Sequence, residues 1–140
     1  MKWVTWGNVL VDRMASAWLI RRFVDPKAVF LFIAAGSKPL PKGAEPFDIP
    51  GAKLSHRRGH STFHTILREY RIKDPVLKRI ARIVDEADVV QAAAVEAAAA
   101  GLDLICRGLR AISRDDHEAL ERGALIYDAL YAELKSEAFG

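Results

Sequence analysis

The 140-residue sequence predicts an α+β domain that is mostly helical, with about five helices and a small sheet from its N-terminal third. Two observations carry this. KWVTW and AVFLFIA, both before residue 35, are strand-length runs rich in aromatic and β-branched residues. Beyond residue 60 the apolar residues recur at helical spacing, and AAAVEAAAAG adds high helix propensity. At 51% apolar and 28% charged residues the chain is expected to fold as one domain, 1–140, around a single core.

Residues 2–6 alternate as a strand, and Gly7 and Asn8 break it. Met14, Ala15, Trp18, Leu19, Ile20 and Phe23 then follow a helical period, with Asp12 placed as the N-cap. Asp25-Pro26 ends that helix, because the residue before a proline avoids the helical region. Ala28–Ala34 reads as a buried strand, and 35–46, with three prolines and two glycines, as a loop. Phe47–Ile49 and Lys53–Ser55 read as short extended pieces on either side of the Pro50-Gly51 turn.

A helix starts near Ser61 or Thr62 and carries Phe63, Ile66, Leu67 and Tyr70 on its apolar face. Pro75 opens the next, at the position where a missing N–H costs nothing, and Leu77, Ile80, Ala81 and Val84 line its inner side. The pattern is helical again from about Ala87 to Ile112, with Gly101 marking a break or a close contact. The last helix begins at SRDDHEAL, where Asp115 and Glu118 have capping-box spacing, and runs to about Lys135. The alanine-rich helix offers a face for a second copy, so a homo-oligomer is among the expected partners.

Several function classes are disfavoured. One cysteine, Cys106, precludes a disulfide within the chain and any CxxC motif. Its apolar neighbours predict a buried core thiol, not a nucleophile. The apolar stretch 87–106 carries Asp88, Glu96 and Asp103, which a membrane span rarely tolerates, and Asp12-Arg13 interrupts any N-terminal signal core. A cytoplasmic location is expected. A net charge of +3 permits nucleic acid without arguing for it. The stripe of Arg107, Arg110 and Arg114 could touch a phosphate backbone but is more often a solvated face.

SHRRGHSTFH, residues 55–64, is the densest constellation. It holds His56, His60 and His64, three of the four histidines. Helical spacing would stack them, but Gly59 and the cap at Ser61 or Thr62 predict a strand-loop-helix corner. Imidazoles converging there suit a transition metal such as zinc, iron or manganese, with a position left open. Exposed histidines on a polar corner are the bland alternative. Arg57 and Arg58, beside a helix N-terminus, suit an oxyanion. Asp12-Arg13 at a helix start and Asp116-His117 at another are the remaining candidates. His117 and Glu121 also have two-ligand spacing.

VDRMASAWLIRRFVDP with AVFLF, PFDIPGAKLSH, RDDHEAL and YDALYA together resemble the chromate-resistance protein family. The likeness is to the C-terminal domain of the chromate-responsive regulator and covers about Trp3 to Tyr131. It implies a bacterial cytoplasmic protein tied to chromate resistance and stress response, with chromate as the small oxyanion partner. It matches the family pattern at Asp12-Arg13, His56 and Asp115-Asp116-His117. Ala15-Ser16-Ala17-Trp18 replaces the usual ACPW, and Ser61 and His64 stand where the family commonly has a cysteine and an acid. Loss of both cysteines argues against thiol-based chromate reduction. The N-terminal half of the full-length regulators lies outside this chain, so their DNA binding is not carried over.

Three functions remain open from sequence. The first is a metal- or oxyanion-binding sensor or accessory module using His56, His60, His64, His117, Asp12 and Asp116, with Arg13, Arg57 and Arg58 for the oxyanion. The second is a small metalloenzyme with redox or hydrolytic activity. The third, a nucleic-acid-binding regulator, ranks last.

Overall fold

The computed structural model describes residues 1–88 and 95–139. Its sheet has three parallel strands, β1 (Lys2–Trp6), β2 (Val29–Ile33) and β3 (Ala44–Pro46), in the order β2-β1-β3. Trp3 stands opposite Phe30 on one side and Glu45 on the other. Parallel neighbours need a crossover, and the first is α1 (Val11–Leu19), which runs into a π-helical turn at Ile20–Val24. This βαβ unit puts the C-terminal end of the central strand beside the start of α1. The third strand differs from expectation. It lies at Ala44–Pro46, inside the segment expected to be a loop, while Phe47 and Leu54 make only an isolated bridge. Pro46 is tolerated because β3 is an edge strand.

The remaining helices are α2 (Thr62–Glu69), α3 (Pro75–Asp88), α4 (Ala98–Ile112) and α5 (Asp116–Phe139). The α+β class and the five helices therefore match the expectation from sequence. Ser61 caps α2 by accepting from the His64 N–H at 3.3 Å. Asp74 caps α3 through the Val76 N–H at 2.8 Å. Asp115 caps α5 by accepting from the Glu118 N–H at 2.9 Å, and the Glu118 carboxylate in turn accepts from the Arg114 N–H, one residue earlier than in a strict capping box. Of the helical stretch expected from Ala87, residues 89–94 lie outside the described residues, and Gly101 sits inside α4 without breaking it.

Trp18 is the hub between α1 and the C-terminal helix. It is buried, stacks on Phe63 and Tyr127, and donates its indole N–H to Asp128 at 2.9 Å. Asp128 also pairs with Arg22. Tyr127, fully buried, donates to the Val11 carbonyl at 2.8 Å, which fixes α5 against the start of α1. Cys106 is buried beside the Tyr127 hydroxyl, and burial pushes its thiol pKa up. Among the described residues no helix is long and apolar enough to cross a membrane.

Candidate functional site

Asp12 does not cap its own helix. Leu10 occupies the N-cap of α1, and no side chain bonds there. Asp12 lies two residues further on, in the first turn of α1, is 2% exposed, and reaches across to the start of α2. Its carboxylate accepts from the Thr62 N–H at 2.8 Å, the Phe63 N–H at 3.0 Å and the Ser16 hydroxyl at 3.2 Å. A helix start has free N–H groups and a partial positive charge, so a buried carboxylate from a neighbouring helix satisfies both.

Around this carboxylate gather His56, Asp48 and Asp88. His56 Nε2 lies 3.2 Å from Asp12 Oδ2 and 2.7 Å from Asp88 Oδ2, and its Nδ1 lies 3.6 Å from Asp48 Oδ1. Asp48 accepts from the Thr62 hydroxyl at 2.7 Å. Its backbone is in the left-handed region, φ 52°, which aspartate adopts more readily than most residues. Arg13 braces the same loop. Its guanidinium donates to the Asp48 carbonyl at 2.9 Å and the Gly7 carbonyl at 3.3 Å, and its Nε makes a 3.0 Å charge contact with Asp48 Oδ2. That contact is too poorly aligned to count as a hydrogen bond, so among the described residues the Arg13 Nε–H has none.

These side chains line a cavity of about 280 Å³, which Trp6, Asn8 and Pro50 complete. Among the described residues the Trp6 indole N–H is buried without a partner. Among the described residues, Asp12, Asp48 and His56 are the set whose ligand atoms all lie within 4.8 Å of one another. Ligands bound to one ion at about 2.1 Å stand about 3 to 4 Å apart, so this spacing fits a cation with small side-chain adjustment. The donor set, two carboxylates and one imidazole with Asp88 adjacent, suits manganese, iron(II) or zinc.

The electrostatics show a shortage of positive charge. Burial, then the charges of Asp48 and Asp88, push Asp12 up to about 7. Burial also raises Asp48, against the pull of Arg13. The hydrogen bond to Asp88 lifts His56 to about 9, with Asp12 and Asp48 adding to it against partial burial.

The other candidates separate into distinct places. His60 and His64 turn away from His56 to the far side of the corner. There their rings stack 3.9 Å apart, and His60 Nδ1 meets Asp85 at 2.6 Å. The Asp116 carboxylate accepts from the Asn8 and Val9 N–H groups at 3.2 and 3.0 Å, pinning the β1–α1 turn. His117 packs edge-on against Phe32 at 4.8 Å. Arg57 pairs with Glu69, and Arg58 sits in the left-handed region, φ 51°, lining a basic pocket with Arg57, His64 and Arg68. Arg107 pairs with Asp103, Arg110 bonds Asn8 and Arg114 pairs with Glu118.

Sequence reasoning missed Asp48, Asp85 and Asp88. Asp48 stood in PFDIPG, between an aromatic residue and a Pro-Gly turn, a setting that aims a side chain without naming its target. Asp85 and Asp88 stand in VDEAD, where nothing in the local pattern marks either as a ligand, and Asp88 counted only as a charge that a membrane span rarely tolerates.

Comparison with known proteins agrees with the resemblance read from the sequence. The model of the family described as "ChrB, C-terminal domain" matches residues 3–134. Protein ChrB of Cupriavidus metallidurans is 32% identical over 136 residues, covering 96% of this chain and 41% of that protein. The chain thus spans well under half the length of this relative. No solved structure matches. With nearly the whole chain matched, the protein belongs to the ChrB C-terminal domain family.

Proposed function

We propose that this domain is a metal-dependent sensor or accessory module of chromate resistance, with the cation held by Asp12, Asp48 and His56 and Asp88 beside them. The family supplies the link to chromate resistance. The convergence of three ligand atoms, one each from Asp12, Asp48 and His56, within 4.8 Å of one another carries the metal reading. Three carboxylates facing one cavity repel a bare oxyanion, so direct chromate contact there needs the cation first. With a divalent cation bound, the unpartnered Trp6 N–H supplies a donor for an oxygen ligand at the same cavity.

The test is metal analysis of untagged protein, before and after reconstitution with manganese, iron(II) and zinc. Close to one equivalent of one metal, lost in His56→Ala, supports the reading. Less than about 0.1 equivalent of every metal refutes it. The open cavity also admits a second reading, a small metalloenzyme, because coordination positions remain for a substrate. Reduction of chromate at the expense of added NADH, catalysed by the reconstituted protein and abolished in His56→Ala, would favour that reading, and reduction unchanged by the substitution would remove it.

A further inference from the structure

A second cavity of about 480 Å³ lies on the other side of the His56–His64 corner, between α2 and α3. Its size falls in the range of small-molecule sites. The floor is apolar, with Leu67 and Ala81 buried and Ile72 beside them. One wall is the stacked pair of His60 and His64. The rim is strongly cationic, with Arg68, Arg71, Lys73, Lys78 and Arg82. Arg82 is paired with Glu96. Among the described residues the other four enter no ion pair, although the chain carries 18 acids. Asp85, the acid in the lining, is already engaged by His60 and by the Ser61 N–H at 2.8 Å. Like charges crowded around an apolar cleft cost self-repulsion that an anionic ligand removes.

Arg71 adds an independent observation. α2 ends in a Schellman turn, with the Ile72 N–H bonded to the Leu67 carbonyl at 2.9 Å and the Arg71 N–H to the Arg68 carbonyl at 3.2 Å. The residue at the left-handed position of that turn is normally glycine. Here it is Arg71, with φ 53°, and it lines the cleft. A side chain kept where glycine would be less strained points to use of that side chain.

We propose that this cleft binds a small organic polyanion. Its flat or apolar body would lie against Leu67, Ala81 and the imidazole pair, and two or more phosphate-type charges would lie among Arg68, Arg71 and Lys78. A nucleoside diphosphate is the simplest ligand of this chemistry. A single tetrahedral dianion meets the cations but leaves the apolar floor uncovered.

Calorimetric titration of the chain with ADP, pyrophosphate, adenosine and sulfate at one ionic strength tests the proposal. ADP binds one to one, pyrophosphate at least about fivefold more weakly, and adenosine and sulfate more weakly still. Arg71→Gly gives the discriminating result, because it melts no lower than the parent yet loses at least about fivefold in ADP affinity. Arg68→Glu with Lys78→Glu loses more than about tenfold, while the equal charge change Arg107→Glu with Lys135→Glu, made elsewhere, stays within about twofold. Unchanged affinity in Arg71→Gly, an equal loss in the distant control, or ADP binding no better than sulfate would each overturn the proposal. So would short duplex DNA that binds more tightly than ADP through the same residues.

Discussion

Replacing Asp12 by alanine should destabilise the domain through a helix to which Asp12 does not belong. The carboxylate is 2% exposed and satisfies the first two N–H groups of α2, fifty residues away in sequence. Ser61 keeps its own cap, but losing a cap-like bond to a helix-start N–H costs about 1 kcal/mol. Stranding a second buried amide costs a further ~1 to 3 kcal/mol. Removing one of three crowded carboxylates returns about 1 kcal/mol. The net loss is about 1 to 3 kcal/mol, or roughly 3 to 10 °C in Tm for a chain of this length. Thermal and urea melts followed by circular dichroism measure it, and hydrogen exchange locates it. The Thr62 and Phe63 amides should exchange faster, while the Glu118 amide at the start of α5 should not. A loss below about 1 kcal/mol, or protection unchanged at Thr62 and Phe63, would refute the reasoning.

Three further outcomes follow from the same geometry. Without metal, stability should fall as pH rises from about 5 to about 9. Asp12 and His56 both have folded-state pKa values above their ordinary ones, about 7 and about 9, so the stability they contribute is present at lower pH and disappears as each loses its proton. A Tm that rises across that window would contradict the assignment. Metal binding near neutral pH should release protons, seen as a binding enthalpy that varies with the ionisation enthalpy of the buffer, since bound ligands are deprotonated. An enthalpy independent of buffer would count against it. Cys106, buried with its thiol pKa pushed up, should react with a thiol reagent at least about a hundredfold more slowly in the folded than in the urea-unfolded protein. Comparable rates would show that the α4–α5 packing opens readily.

The fold was legible where local signals act locally. Pro75, Asp115 and Ser61 mark helix starts, and KWVTW and VFLFI pair as strands, because caps, prolines and strand-length apolar runs work over a few residues. β3 was obscured because AEP is short, contains proline and owes its pairing to the central strand it meets. The site was legible only in part, for a related reason. Asp12, Arg13 and His56 stand out in the sequence and do come together. Asp12 read as the cap of its own helix, since nothing near it reveals a helix start fifty residues on. His60 and His64 share a segment with His56, yet the left-handed Arg58 and Gly59 turn the chain between them. His56 therefore faces one cavity, and His60 and His64 face away from it.

Asp12, Asp48 and His56 are proposed to form one cation site. Metal content of the untagged protein and of His56→Ala, measured together after identical reconstitution, tests it most directly. His56 is half exposed, so its replacement should leave the fold intact while removing a ligand. The parent should hold about one equivalent of a divalent transition metal, and the variant, with an unchanged circular dichroism spectrum, less than about a tenth of that. Equal metal in both proteins, or none in either, would contradict it.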